Sequence, residues 1–121
     1  MEPKVYRGVV ERGAGRGAAL GFPTANIPLA DDSVSGIYAA RAKIKDEEAP
    51  YSAAVYADQK RKLLEVHILD FSDKLYGMEI EVTLLEKIRE AAVFESEMAL
   101  RAAIADDIAK VRDYFLQHRS L

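Results

Sequence analysis

Leu63-Leu64-Glu65-Val66-His67-Ile68-Leu69-Asp70-Phe71 alternates along its length: Leu64, Val66 and Ile68 face one way, and Glu65, His67 and Leu69 the other. A period of two is that of a strand with one face in a core, whereas a helix would need apolar residues three and four apart. The same alternation recurs downstream, where Met78, Ile80, Val82 and Leu84 interleave with Glu79, Glu81 and Thr83. Upstream, Gly36–Ile44 sets Tyr38, Ala40, Ala42 and Ile44 against Arg41 and Lys43, while Val5–Val10 and Tyr51–Ala57 are short apolar runs. Short alternating segments joined by turn signals predict an antiparallel sheet, closed or nearly so. Asp46-Glu47-Glu48-Ala49-Pro50 and Ser72-Asp73-Lys74 are the expected connections, and Lys60-Arg61-Lys62 reads as a solvated hairpin tip.

The last quarter changes period. Leu100, Ile104, Ile108, Val111 and Phe115 form the stripe of an amphipathic helix, with Ser96 as its N-cap and Glu97 in its first turn. This helix is expected either to dock on the sheet or to cover one open end. The organisation predicted is one domain over residues 1–121, with a barrel over about 5–90 and a C-terminal helix over about 96–116.

Composition bounds the function without naming it. The chain has 121 residues, 50% hydrophobic and 31% charged, which is long enough to bury a core. A net charge of −3 argues against a nucleic-acid binder, and the strands carry no aromatic ladder for stacked bases. The absence of cysteine excludes disulfides, thiolate metal sites and cysteine nucleophiles. There is no apolar run of membrane-spanning length and no signal-like h-region, so a cytoplasmic protein with no membrane partner, and a monomer, is expected.

The stretch Gly13-Ala14-Gly15-Arg16-Gly17-Ala18-Ala19-Leu20-Gly21-Phe22-Pro23-Thr24-Ala25-Asn26-Ile27 fits neither strand nor helix. Its glycines allow positive φ and let successive backbone N–H groups cradle an anion, and Arg16 adds a forked cation suited to phosphate. Taken alone, such a loop is more often a plain turn or bulge. Pro23 follows too soon for the helix that a Rossmann or Walker loop requires.

Gly13-x-Gly15-Arg16-Gly17 followed by Leu20-Gly21-Phe22-Pro23-Thr24-Ala25-Asn26 resembles the signature of riboflavin kinases, including the kinase module of bacterial bifunctional FAD synthetases. The resemblance continues in order through Gly36-Ile37-Tyr38-Ala39, Glu65-Val66-His67-Ile68-Leu69-Asp70-Phe71, Leu75-Tyr76-Gly77, Ile88-Arg89, Phe94 and Leu100. It implies an all-β, six-stranded antiparallel Greek-key barrel with a C-terminal helix, binding ATP and riboflavin at one rim. It implies transfer of the γ-phosphoryl group of Mg–ATP to the ribityl 5′-hydroxyl of riboflavin, giving FMN and ADP. Gly13, Gly15, Arg16, Gly17, Gly21 and Pro23 would form the nucleotide-phosphate flap. Thr24 and Asn26 would hold Mg²⁺, Glu65 would be the catalytic base, and Arg89 and Phe94 would lie beside the flavin. His67 is expected to be structural, bonded to a neighbouring carboxylate.

The sequence also departs from the pattern. Ala53, Tyr56 and Asp58 stand where the family carries Gly, Asn and Gly, and the short tip Gln59-Lys60-Arg61-Lys62 replaces a loop containing Pro-Thr. Ala91 stands where a Glu is usual. The nucleotidyltransferase region of bacterial members has no counterpart in this sequence, so the product expected is FMN and not FAD. Two readings follow: an active riboflavin kinase, or a flavin- or nucleotide-binding module of the same fold without turnover.

Overall fold

The computed structural model describes residues 3–12 and 20–118. Six strands, β1 (Lys4–Val9), β2 (Ala25–Pro28), β3 (Gly36–Ile44), β4 (Tyr51–Asp58), β5 (Leu63–Ile68) and β6 (Glu79–Arg89), precede one helix, α1 (Glu97–Gln117). The sheet order is β1-β6-β3-β4-β5-β2 and every pairing is antiparallel. β3, β4 and β5 are joined as hairpins and β6 returns to the free side of β3, which is a Greek key. The sheet curls until its two edges meet: the Glu11 N–H donates to the Asn26 carbonyl at 2.8 Å, bridging the end of β1 to β2. Close approach at that seam depends on Gly8, where an added Cβ would lie 3.0 Å from the Ile27 Cβ.

The predicted inward faces form the core. Ala40, Ala42 and Ile44 of β3, Val55 of β4, Leu64, Val66 and Ile68 of β5, and Ile80, Val82 and Leu84 of β6 are buried together with Ile27. Alternation is kept because a slip of one residue would turn each of these side chains to the outside. A second, smaller cluster lies on the outer surface, where Ala39 and Leu69 pack against Val111 of α1. Small residues on that face, Ala39 and Ala54, let the helix lie close. α1 therefore docks on the outside of β3 and β4 and does not plug an end. Its start is as expected: Ser96 Oγ accepts from the Ala99 N–H at 3.1 Å, with Glu97 in the first turn.

Three boundaries differ from the sequence reading. Ala25–Pro28 is a strand although it lies in the stretch expected to be neither strand nor helix; four residues are too few to show a period. β6 runs on from Leu84 to Arg89, with register shifts between Ile37 and Tyr38 and between Ala39 and Ala40 of its partner β3. These irregularities break the alternation that would have betrayed the extension. β5 stops at Ile68, and Leu69-Asp70 turns away with Asp70 at φ 58°. Among the described residues no helix is long and apolar enough to cross a membrane.

Candidate functional site

The register of the sheet assembles the site. Asn26 of β2 faces Glu65 of β5, Glu65 faces Tyr56 of β4, Tyr56 faces Ile37 of β3, and Ile37 faces Arg89 of β6. The three residues expected to hold metal, take a proton and flank a flavin thus lie in one row across five strands. Four strand spacings separate its ends, ~19 Å along the curved sheet.

A cavity of about 620 Å³ opens along this row from Glu65 to Arg89, with Thr24 in its wall and Asn26 buried behind it. Its walls are Leu20, Phe22 and Thr24 ahead of β2, Tyr56, Asp58, Glu65 and His67 on the sheet, the loop from Arg89 to Phe94, and Leu100, Ile104 and Ile108 of α1. The helix stripe therefore serves both the small outer cluster and the cavity wall. The volume and the mixture of an apolar wall with a few polar groups suit a small-molecule ligand.

At the β2 end, Thr24 Oγ1 donates to Asn26 Oδ1 at 3.1 Å, and Asn26 is only 5% exposed. The strand is pinned from the side by His67, whose Nδ1–H donates to the Pro23 carbonyl at 2.8 Å while Phe22 packs edge-on against its ring. The expected carboxylate partner of His67 is replaced by the Pro23 carbonyl, because the chain at Pro23 passes beside β5. Gly21 takes φ 91° just before this segment, a conformation that L side chains rarely adopt. Gly13, Gly15, Arg16 and Gly17 of the expected phosphate flap lie outside the described residues.

In the middle of the row, Glu65 Oε2 is shut off from solvent, and Asp58 is the diagonal neighbour of Glu65 across the strand pair. Burial drives the Asp58 carboxyl upward, but the Arg61 backbone N–H, the Glu65 side chain and the Arg61 guanidinium together outweigh it and hold Asp58 below the usual carboxylate range. Burial, with the Asp58 and Glu65 carboxyls nearby, pushes the Tyr56 phenol up.

At the β6 end, Arg89 is committed to a fork: Nε donates to Asp107 Oδ1 at 2.7 Å and an Nη to Oδ2 at 2.8 Å. Its remaining Nη donates to the Glu90 carbonyl at 3.0 Å, and the guanidinium lies 5.4 Å from the centre of the Phe94 ring. Arg89 and Phe94 come together at the cavity, with three of the five guanidinium N–H groups directed at the protein and the cation over the Phe94 ring. Sequence reasoning missed Asp107, Tyr56 and Asp58. A charge at position 107, inside the apolar stripe of Ile104, Ile108 and Val111, was the available signal for the first.

For Mg²⁺ the donor chemistry fits, since Thr24 and Asn26 offer two hard oxygens at hydrogen-bond separation, one of them buried. Among the described residues no group of three or more His, Cys, Asp or Glu gathers as a self-sufficient metal site. That suits an ion that keeps waters and takes its remaining ligands from a nucleotide.

The family model described as Flavokinase: Riboflavin kinase matches residues 1–115. A bifunctional riboflavin kinase/FMN adenylyltransferase of Haemophilus influenzae is 35% identical over 121 residues, covering 93% of this chain and 39% of its own length. Its counterpart in Escherichia coli is 37% identical over 120 residues, covering 93% of this chain and 38% of its own length. This chain therefore spans under two fifths of those relatives. Among solved structures, a riboflavin kinase from Trypanosoma brucei superposes with a TM-score of 0.75 at 26% identity, over 98% of this chain and 80% of that one. A protein from Streptococcus pneumoniae described as a macrolide-efflux protein gives a TM-score of 0.76 at 29% identity, over 91% of this chain and 38% of that one. With barrel and family model in accord over nearly its whole length, the chain belongs to the riboflavin kinase family.

Proposed function

We propose that this chain transfers the γ-phosphoryl group of Mg–ATP to the ribityl 5′-hydroxyl of riboflavin, giving FMN and ADP. The observation that carries the reading is the pairing of Asn26 with Glu65, which sets a carboxyl directly beside the oxygen pair of Thr24 and Asn26. Phosphoryl transfer asks for little covalent help from the protein; it asks for an aligned alcohol and neutralised phosphoryl oxygens. Glu65 would accept the 5′-hydroxyl proton as the new O–P bond forms and the bond to the β-phosphate oxygen breaks.

Thr24 and Asn26 would hold Mg²⁺, which when bound supplies positive charge against the phosphoryl oxygens. Gly13, Gly15, Arg16 and Gly17 would close over the phosphates, with Gly21 and Pro23 setting the path of that segment. The isoalloxazine ring would lie at the far end of the row, against Phe94 and the apolar side of α1. Arg89 serves that end by fixing Phe94.

The test is an assay of purified protein with riboflavin, ATP and Mg²⁺, with FMN separated by chromatography, alongside a flavin fluorescence titration. Wild type forms FMN, and Glu65→Gln lowers kcat by about 10²–10⁴-fold while flavin binding stays close to wild type. Full turnover by Glu65→Gln would falsify the assigned base. Tight flavin binding with no FMN under any nucleotide or metal would establish a binding module instead.

A further inference from the structure

Tyr56 sits in the middle of the row, half-buried on β4, and borders the cavity. It is one of the positions at which this chain departs from the family pattern, so its role is particular to this chain. The other tyrosines are each accounted for by a contact inside the protein. Tyr6 donates to Asp31 and Tyr51 to Glu47, Tyr38 and Tyr76 lie beneath the cations of Lys87 and Arg12, and Tyr114 packs edge-on against Phe115. Tyr56 has no such partner among the described residues. Its hydroxyl makes no hydrogen bond there, no ring or cation stacks on it, and it belongs to neither apolar cluster.

The row fixes what stands on either side of it. Glu65 of β5 lies directly opposite, Ile37 of β3 lies on the other flank, and beyond Ile37 come Arg89 and Phe94. Three strand spacings, ~14 Å along the curved sheet, separate Glu65 from Arg89. Between them the sheet offers the cavity Ile37, Ala54 and Tyr56, and the helix offers Ile104 and Ile108. Tyr56 thus brings a polar group to the middle of an apolar stretch. Burial and the nearby carboxyls of Asp58 and Glu65 push the phenol up, so at neutral pH it is a hydrogen-bond donor.

The phosphoryl-transfer reading above, on which this inference rests, puts the 5′-hydroxyl at Glu65 and the isoalloxazine ring against Phe94. The ribityl chain then crosses Tyr56. Its inner hydroxyls lose water on entering the cavity, and each one left without a new partner weakens binding. We propose that Tyr56 recognises the ribityl chain, its phenol O–H donating to a hydroxyl between C2′ and C4′ and its ring lying along the chain. Tyr56 is therefore a specificity-determining residue that selects a polyol over an apolar tether, because a site built to bond a substrate hydroxyl discriminates against the analogue lacking it.

The test compares riboflavin with a flavin whose side chain is 5-hydroxypentyl, which keeps the reacting hydroxyl and lacks the inner ones, in wild type and Tyr56→Phe. The readouts are kcat/KM and Kd by fluorescence for each flavin, KM for ATP, and thermal midpoint. Tyr56→Phe is expected to weaken riboflavin binding and lower kcat/KM for riboflavin ~3–10-fold, and to change both by less than ~2-fold for the hydroxypentyl flavin. KM for ATP should move by less than ~2-fold, and the midpoint should stay within ~3 °C, because the lost hydroxyl has no partner in the protein.

An equal fall with both flavins, no change with either, or a loss carried by KM for ATP alone would each overturn the proposal. So would a Tyr56→Phe protein that fails to fold, since the hydroxyl would then be holding the structure and not the substrate. Wild-type protein that makes no FMN is a different failure, visible before any variant is compared, and it removes the reading on which this one rests.

Discussion

Asn26 and Glu65 stand directly opposite each other on β2 and β5, a buried amide facing the carboxyl at the centre of the cavity. Opposed side chains on one face of an antiparallel pair have Cβ atoms ~5 Å apart, so an ion held at Asn26 would lie within reach of the Glu65 carboxyl. Asn26→Ala should raise the Mg²⁺ concentration for half-maximal rate at least ~10-fold while leaving riboflavin affinity unchanged. Initial rates across a Mg²⁺ titration decide it. An unchanged half-saturation point would remove Asn26 from the metal site.

The Arg89–Asp107 fork ties the end of the sheet to the helix. Asp107 is 5% exposed and Arg89 24% at the side chain, so each partner depends on the other for its charge. Removing one side of a buried pair leaves an uncompensated ion, so Asp107→Ala should cost ~3 kcal/mol. For a domain of this size that is a fall of roughly 10 °C in the thermal midpoint. Flavin binding should weaken with it, because Phe94 loses the guanidinium that lies over its ring. A midpoint within 2–3 °C of wild type, a shift of under ~1 kcal/mol, would show the pair to be dispensable.

Most of the barrel could be read from period two, because Leu64, Val66, Ile68, Ile80, Val82 and Leu84 follow the burial that alternation demands. β2 could not, since its inward contribution is essentially Ile27 and a single residue has no period. The site was legible only where chemistry is written in local strings: Pro23-Thr24-Ala25-Asn26 and the Glu65 strand. The roles of Asp58 and Asp107 could not be read, although a departure from the family pattern marked the first and a charge inside the apolar stripe marked the second. Asp107 gains its meaning from Arg89, across a helix–sheet contact that no spacing encodes, and Asp58 from the backbone of the turn it caps.

Gly36 carries a constraint that composition hides. It takes φ 95°, and an added Cβ would meet the Arg89 carbonyl oxygen at 2.4 Å. Gly36→Ala therefore combines backbone strain with a clash against backbone that cannot give way, and should cost more than ~2 kcal/mol. Gly77 is the control, with φ 79° but nothing within 4 Å of the added atom, so Gly77→Ala should cost only ~1 kcal/mol. Urea midpoints of the two variants test the ordering. Equal losses would mean that conformation, and not contact with Arg89, sets the requirement at position 36.

Acid stability should depend on a contact far from the cavity, the hydrogen bond from the Tyr6 hydroxyl to Asp31 Oδ2 at 2.6 Å. Asp31 is held well below the ordinary carboxylate value of 3.8, first by the Ser33 hydroxyl, then by Tyr6 and by the Ser33 backbone N–H. Between the folded and unfolded values the unfolded chain binds the extra proton, so stability rises with pH there. The contribution is fully present above ~4 and is lost as pH falls toward the folded value. Tyr6 shifts the other way, raised from 10.0 by burial and then by its bond to Asp31, so its contribution is present below 10.0 and fades as pH rises beyond it. Thermal midpoints from pH 6 down to pH 2 should therefore fall less steeply for Asp31→Asn than for wild type, with the two curves converging at the acid end. On the alkaline side Tyr6→Phe should flatten the decline above pH ~10. Parallel acid curves offset by a constant would show that Asp31 stabilises the fold through shape alone and that its charge carries none of the effect.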